Sequence, residues 1–131
     1  MELYEWTKHY IKFKDQFKKQ IQKTTYETNL IIVKTKTETI KYFITEKLEN
    51  SIKLKNKEKN EKTILVCLNS KENLKTITTK WDELINEQLT IIFVNPKTNE
   101  KWLIQPKTHN KIAEKIKDSL KILYESINSI N

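Results

Sequence analysis

The sequence predicts an α/β (α+β) sandwich, a single domain over residues 1–131. Its mixed sheet has about five strands packed by three helices, in the order α-β-β-β-α-β-β-α. The length of 131 residues is that of one domain with one core. Apolar residues recur at helical spacing in three segments, and short runs rich in β-branched residues indicate strands. The central strand, helix and strand follow so closely that we expect a right-handed crossover between parallel strands.

Residues 3–22 are predicted to form an amphipathic helix that packs on the sheet through an aromatic face. Six apolar side chains recur at spacings of three and four, within an arc of about 80°. They are Leu3, Trp6, Tyr10, Phe13, Phe17 and Ile21. Four lysines fall within roughly 60° of one another on the opposite side. They are Lys8, Lys12, Lys19 and Lys23.

The next segments predict three strands. The run NLIIVK (29–34) and the alternating TIKYFIT (39–45), joined by the short connector TKTE, indicate a hairpin. Residues 53–62 are almost entirely polar and are predicted to form a solvated, mobile loop. The run TILVCL (63–68) is typical of a strand buried on both faces.

A helix and a second buried strand follow. Asn69 and Glu72 have the spacing of a capping box, with asparagine in place of serine or threonine. One helical face then carries Leu74, Ile77, Trp81 and Leu84. The run QLTIIFV (88–94) indicates the strand parallel to 63–68.

The stretch IIFVNPKTNEKWLIQPKTHNKIAE (91–114) predicts a hairpin leading into a helix. Pro96 presets φ in a turn, and Asn99 suits a position of positive φ. Pro106 is expected to end the returning strand KWLIQ, and Thr108 to cap the last helix. The inner face of that helix is predicted to carry Ile112, Ile116, Leu120, Leu123 and Ile127.

The formal net charge of +8 would ordinarily suggest a polyanionic partner. All 25 basic residues are lysine, and the AT-rich codons of lysine, asparagine and isoleucine offer another explanation for the charge. Without arginine, bidentate reading of guanine edges is disfavoured, whereas lysine contact with phosphate is not.

The sequence offers little material for catalysis, and no catalytic, metal or cofactor site is predicted. Its bases at neutral pH are His9 and His109, which lie in separate elements and lack the close spacing of zinc modules. The chain has no glycine, so the phosphate-cradling loops of nucleotide-binding folds are excluded. We therefore expect a protein that is not an enzyme.

The single cysteine, Cys67, excludes an intrachain disulfide and fits a reducing compartment. The N-terminal residues are interrupted by charges and do not resemble a signal peptide. The longest apolar runs are far shorter than a membrane span. We therefore expect a cytoplasmic protein without a membrane partner.

The predicted order of a helix, three strands, a helix and a strand is similar to the core of restriction-endonuclease-like nucleases. Those enzymes carry an acidic residue on one core strand and an acid-x-lysine motif on the next. The run TILVCL has no charged residue. The resemblance covers order alone and implies at most a non-catalytic relative.

Two surfaces are candidates for binding. The first is the hairpin and loop from 95 to 109, where an unknown protein partner would meet Trp102 as anchor. Its polar rim would be formed by Pro96, Lys97, Lys101 and His109. The alternative interpretation is that turn chemistry alone explains these residues.

The second candidate surface is the helix face with Lys8, Lys12, Lys19 and Lys23, which would contact nucleic-acid phosphates without reading sequence. Further lysines at positions 34, 36, 53, 55 and 57 would extend it. A charged face opposite an apolar one is also the ordinary solvated surface of a helix. An interaction module is the first prediction, and a sequence-independent nucleic-acid binder is the alternative. The sequence does not indicate an oligomeric state.

Overall fold

The structure, a computed structural model, describes residues 2–48, 60–85, 88–112 and 115–130. Within these residues, six strands form one mixed sheet and five helices pack against it, where about five strands and three helices were predicted. The elements are α1 (Glu2–Asp15), β1 (Ile21–Glu27), β2 (Leu30–Thr35), β3 (Thr39–Ile44), β4 (Glu61–Leu68), α2 (Lys71–Thr79), α3 (Trp81–Leu84), β5 (Leu89–Asn95), β6 (Glu100–Ile104), α4 (Pro106–Ile112) and α5 (Ile116–Glu125).

The strands lie in the sheet in the order of the chain, from β1 at one edge to β6 at the other. The first three strands are antiparallel, and the predicted hairpin of β2 and β3 is confirmed. Strands β3, β4 and β5 run parallel, so the predicted parallel pairing across the central βαβ unit is also confirmed. The last strand, β6, returns antiparallel to β5. The sheet is therefore mixed, as predicted.

The prediction of one helix over 3–22 is wrong, because α1 ends at Asp15 and a strand follows. The Asp15 carboxylate accepts hydrogen bonds from the backbone N–H groups of Gln20 and Ile21, at 2.8 and 3.3 Å. Lys19 takes a positive φ of 47°, which reverses the chain. A local hydrogen-bonded turn thus replaces the next helical turn, and the chain enters β1.

This early end breaks up both sets of residues predicted for the first helix. Phe13 and Phe17 point to solvent, with 69% and 84% of their surface exposed. Lys19 lies in the turn and Lys23 in β1, so neither shares a helix with Lys8 and Lys12. The prediction that these four lysines lie on one face of a helix is therefore wrong.

Two hydrophobic cores lie on the two faces of the sheet. On one face α1 contributes Leu3 and Ile11 to a core with residues of the inner strands. On the other face the core combines strand residues with side chains of α2, α3 and α5. Strand β4 serves both, with Leu65 and Cys67 on one side and Val66 on the other, as expected for a strand buried on both faces.

The predicted helix after β4 is present but begins one residue later and is divided in two. Its N-cap is Ser70, whose hydroxyl accepts from the N–H of Asn73, so the prediction of Asn69 as cap is wrong. Asn69 is fully buried and serves another purpose. A break at Lys80 separates α2 from α3.

The C-terminal helix is also divided, into α4 and α5. Pro106 does end β6, but it occupies the first position of α4, where its missing N–H costs nothing. Thr108 therefore lies inside α4 and is not its cap. Leu120 is buried and Ile116, Leu123 and Ile127 pack against the core, as predicted. The side chain of Ile112 lies outside the described residues.

The predicted solvated loop at 53–62 falls mainly outside the described residues. Its last two residues, Glu61 and Lys62, begin β4 instead. In the ranges described above, no helix is both long and apolar enough to cross a membrane.

Candidate functional site

The hairpin between β5 and β6 has the predicted turn chemistry. The side-chain oxygen of Asn95 accepts from the N–H groups of Lys97 and Thr98, at 3.1 and 3.3 Å. Asn99 adopts a φ of 57°, which asparagine tolerates better than most residues. The turn is therefore built by Asn95 and Asn99 themselves.

Trp102 belongs to the core and is not a surface anchor. Only 6% of its surface is exposed. Its ring stacks on Phe93 with centroids 4.1 Å apart and planes 4° apart, and Nε1 donates to Oδ1 of Asn69 at 2.8 Å. The indole is satisfied in both its apolar and its polar part, so this placement does not support the prediction that it anchors a partner.

The other residues predicted for this surface do not meet in one place. Pro96 is half-buried, and Lys97 and Lys101 are exposed near the hairpin turn. His109 lies beyond the opposite end of β6, roughly 17 Å away at about 3.3 Å per strand residue. Its Nδ1 lies 3.0 Å from the N–H of Gln105, where it accepts a hydrogen bond at the start of α4. The structure therefore assigns His109 a local contact.

The hairpin is also joined to α1. The indole Nε1 of Trp6 donates to Oδ1 of Asn99 at 2.8 Å. Trp6 stacks on Tyr10 at 5.1 Å, and the Lys101 ammonium lies 5.6 Å from the Tyr10 ring centroid. These contacts cover part of the surface that was expected to be free.

A different concave surface lies beside the C-terminal end of α1. It has a volume of about 580 Å³, within the range typical of ligand sites. Its floor is apolar and comes from every strand of the sheet, namely Ile21, Val33, Ile40, Ile64, Ile92 and Leu103. Four lysines also line it, Lys14, Lys18, Lys62 and Lys107. We call this surface the lysine groove.

The position of the lysine groove follows from the topology. It crosses the sheet where β3, β4 and β5 begin and where β2 and β6 end, because those strand ends meet at one edge of the fold. Helix α1 contacts β3 and β4 but ends at Asp15. Beyond that residue, no helix in the described ranges covers this face. Of its floor residues Val33, Ile64 and Ile92 are buried, Ile21 and Ile40 are partly exposed, and Leu103 is 40% exposed.

The acidic side chains in the groove are already engaged. Glu38 forms an ion pair with Lys62, with 3.3 Å between carboxylate and ammonium. Asp15 holds the turn after α1 through its two backbone hydrogen bonds. Lys14, Lys18 and Lys107 form no ion pair with any carboxylate in the part of the chain that the structure describes. The groove therefore keeps a net positive charge.

The pKa of Lys14 is affected by this crowding of positive charge. Although the residue as a whole is exposed, partial desolvation of its ammonium lowers its pKa. Lys62 and Lys18 lower this pKa further by repulsion, and Glu38 partly offsets the effect. A bound anion would relieve the repulsion among the lysines.

Two tyrosines complete the groove. Tyr42 is buried in the sheet, and desolvation raises the pKa of its phenol well above the usual value, with Tyr10 and Glu38 adding to the shift. Burial also raises the pKa of Tyr10. Both phenols therefore remain neutral at physiological pH and can serve as hydrogen-bond donors.

The side chains that could serve in catalysis or metal binding lie in different parts of the fold. His9 is exposed on α1, and burial strongly raises the pKa of the Cys67 thiol. Among the described residues, no group of three side chains is placed to hold a metal ion. The start of β4 does not carry the acid-x-lysine motif of nucleases, because Glu61 and Lys62 are adjacent and the motif needs one residue between them. Glu61 pairs with Lys41 at 2.7 Å.

The element order also differs from the one behind the resemblance to restriction-endonuclease-like nucleases. Four strands, not three, separate the first two helices, because β1 lies within the segment predicted as helix. The observed order therefore no longer supports that resemblance.

The lysines of the predicted nucleic-acid surface lie apart. Lys8 pairs with Glu5 at 3.8 Å and lies 5.3 Å from the Tyr26 ring centroid. Lys12, Lys19 and Lys23 are exposed on three different elements. Lys34 and Lys36 are exposed on β2 and the following turn, and positions 53, 55 and 57 lie outside the described residues.

Sequence reasoning did not identify the lysine groove, because its residues come from α1, all six strands and α4. One local signal was present. Lys14 and Lys18 are four residues apart at the end of a helix, which would place them side by side if the helix continued. Their meeting with Lys62 and Lys107 depends on the tertiary fold.

Comparison of the chain with protein-family models, with curated proteins and with solved structures gave no match.

Proposed function

We propose that the protein is a small non-enzymatic interaction module that binds an acidic segment of a partner protein in the lysine groove. The observation that carries the proposal is the combination of an apolar floor with unpaired ammonium groups in one concavity. Such a surface complements a segment that alternates carboxylate and apolar side chains. The hairpin is not the proposed contact, because Trp102 is buried.

The dimensions of the groove fit an extended segment. Six strands at about 4.8 Å spacing make the sheet roughly 24 Å wide, a distance that about seven extended residues cover. Side chains of an extended chain alternate in direction, so apolar ones can face the floor while carboxylates reach the lysines. The lysines contribute as point charges, since lysine lacks the fork of arginine.

The proposal can be tested with a labelled peptide of alternating glutamate and leucine as probe. The variant Lys18→Gln/Lys107→Gln removes two groove lysines that form no ion pair in the described residues and should bind the peptide about tenfold more weakly, since two partly exposed ion pairs with the peptide contribute on the order of 1.4 kcal/mol together. Fluorescence anisotropy at low ionic strength measures the change.

The matched control is Lys71→Gln/Lys75→Gln, which removes the same charge from exposed positions of α2, the helix on the opposite face of the sheet. This variant should bind nearly as tightly as the wild type. Equal weakening in both variants would show that net charge alone attracts the peptide, and would contradict the proposal. A peptide with glutamine in place of glutamate should not bind.

Sequence-independent nucleic-acid binding is the second candidate function. Exposed phenylalanines among lysines favour it, at a surface other than the floor of the lysine groove.

A further inference from the structure

Two phenylalanine side chains are exposed to solvent at the end of α1. Phe13 lies in the last turn of the helix and Phe17 in the turn that follows, with 69% and 84% of their surface exposed. Two other large apolar side chains, those of Tyr26 and Ile122, are 50% and 69% exposed. We call Phe13 and Phe17, together with Lys12 and Lys19, the aromatic tip.

The backbone that carries these two rings is held by hydrogen bonds. The N–H of Gln16 donates to the carbonyl of Phe13 at 3.2 Å, and that of Lys19 donates to the carbonyl of Asp15 at 2.8 Å. The Asp15 carboxylate also accepts hydrogen bonds from the backbone N–H groups of the next two residues, Gln20 and Ile21. The turn is therefore a defined structure that presents both rings outward, at the energetic cost of leaving apolar surface in water.

The charge around the aromatic tip is strongly positive. The segment 12–19 contains four lysines and one aspartate, Asp15, whose carboxylate already accepts two backbone N–H groups. Repulsion from Lys18 contributes to the lowered pKa of Lys14 beside it. The surface is therefore complementary to an anion that also presents flat apolar faces.

We propose that the aromatic tip binds single-stranded nucleic acid without reading its sequence. Unpaired bases stack on Phe13 and Phe17, while the ammonium groups of Lys12 and Lys19 contact the phosphates. Every base has a π-face, so stacking tolerates any sequence, and the absence of arginine does not weaken it. Bases in a duplex are already stacked on one another, so a duplex would meet only the lysines.

A lipid surface is the less favoured partner, because the three residues between the two rings, Lys14, Asp15 and Gln16, are all polar and would have to leave water if both rings entered the apolar part of a bilayer. The proposal is independent of the proposed function, because none of Phe13, Phe17, Lys12 and Lys19 lines the lysine groove.

The test uses fluorescein-labelled oligo(dT) and measures anisotropy over a range of salt concentrations with the full chain. Phe13→Ala/Phe17→Ala should weaken binding at least tenfold. Phe13→Leu/Phe17→Leu, which keeps apolar bulk but removes the π-faces, should weaken it comparably. The control Ile122→Ala removes an equally exposed apolar side chain from α5 and should have no effect.

The lysines are tested separately through the salt dependence. Lys12→Gln/Lys19→Gln should lower the log–log slope by about 1.4, since each phosphate contact on a single strand contributes about 0.7. All of these positions are exposed, so the variants should keep the wild-type circular dichroism spectrum and melting temperature.

Several outcomes would overturn the proposal. Oligo(dT) binding that is unchanged in the alanine variant, or retained in the leucine variant, would exclude stacking. Tighter binding to a duplex of the same length would assign the surface to duplex phosphates. Loss of binding to phosphatidylserine vesicles without any effect on oligo(dT) would assign it to a membrane. A change from dimer to monomer in the alanine variant would assign the rings to a second copy of the chain.

Discussion

Asn69 is a single buried side chain that joins three parts of the chain. Its Oδ1 accepts from Trp102, and its Nδ2 donates to the carbonyls of Tyr124 and Asn128 at 3.3 and 3.2 Å. Its backbone carbonyl accepts from the N–H of Ile130 at 2.9 Å. Asparagine can supply one acceptor and two donors at one position, and all are used here. The residue therefore fixes β6 and the C-terminal segment to the end of β4.

The contrast between Asn69 and its neighbour Ser70 gives a paired prediction. Asn69→Ala should lower the free energy of unfolding by about 3 kcal/mol, because it removes the acceptor of the buried Trp102 indole N–H and one donor to each of the partly buried carbonyls of Tyr124 and Asn128. Ser70→Ala removes only the N-cap of α2 and should cost about 1 kcal/mol. Denaturant melts of the two variants measure both values. A loss for Asn69→Ala no larger than that for Ser70→Ala would show that the buried hydrogen bonds of Asn69 stabilise the fold no more than a helix cap does, and would contradict this assignment.

At the scale of elements, the docking of α1 on the β5–β6 hairpin depends on Asn99. This residue supplies both the left-handed backbone of the turn and the acceptor for the Trp6 indole. Because α1 forms one wall of the lysine groove, the contact also helps to position the groove.

Two substitutions separate the two contributions of Asn99. Asn99→Gly keeps the left-handed backbone and removes the acceptor, so it should cost about 1 kcal/mol. Asn99→Ala removes the acceptor and adds backbone strain, so it should cost about 1–2 kcal/mol more. Thermal or denaturant melts measure both variants. Equal losses would show that the turn does not impose a positive φ on this residue.

The boundary between α1 and β1 shows where sequence reasoning failed at this scale. Phe13 and Phe17 continue the helical spacing of the apolar residues, but the Asp15 carboxylate and the left-handed Lys19 end the helix before Phe17. Glycine normally signals such a position, and this chain has none. Asparagine or lysine fills the left-handed positions instead, at Lys19, Asn29, Asn60 and Asn99.

The strands were easier to predict from the sequence than the candidate site. Continuous runs of apolar residues identified β4 and β5, which are buried on both faces, and also β2, which is fully buried on one face only. Trp102 was misjudged because its partner Asn69 is 33 residues away in the chain. The lysine groove was missed because its lysines converge only after the sheet forms. Local patterns carry no information about such long-range contacts.

At the scale of the whole molecule, the lysines that give the net charge of +8 differ in whether a carboxylate lies close to them. Lys41, Lys47, Lys80 and Lys121 each pair with a glutamate within 4.0 Å. In the described part of the chain, Lys14, Lys18 and Lys107 have no such partner. Lysines elsewhere, such as Lys71 and Lys75, have no such partner in these residues either, so what distinguishes the groove is that its lysines line one concavity, where their combined potential would raise the association rate of acidic partners.

The most direct test of the proposed contact surface is chemical-shift mapping with ¹⁵N-labelled protein and the glutamate–leucine peptide. We predict that the shifted amides cluster in the lysine groove, at residues such as Ile40, Thr63 and Leu103, and that Lys18→Gln/Lys107→Gln reduces these shifts. The amides of the hairpin turn at 96–99 and of α2 should remain unchanged. Shifts confined to the hairpin, or spread evenly over all exposed lysines, would contradict the proposal that the lysine groove is the contact surface.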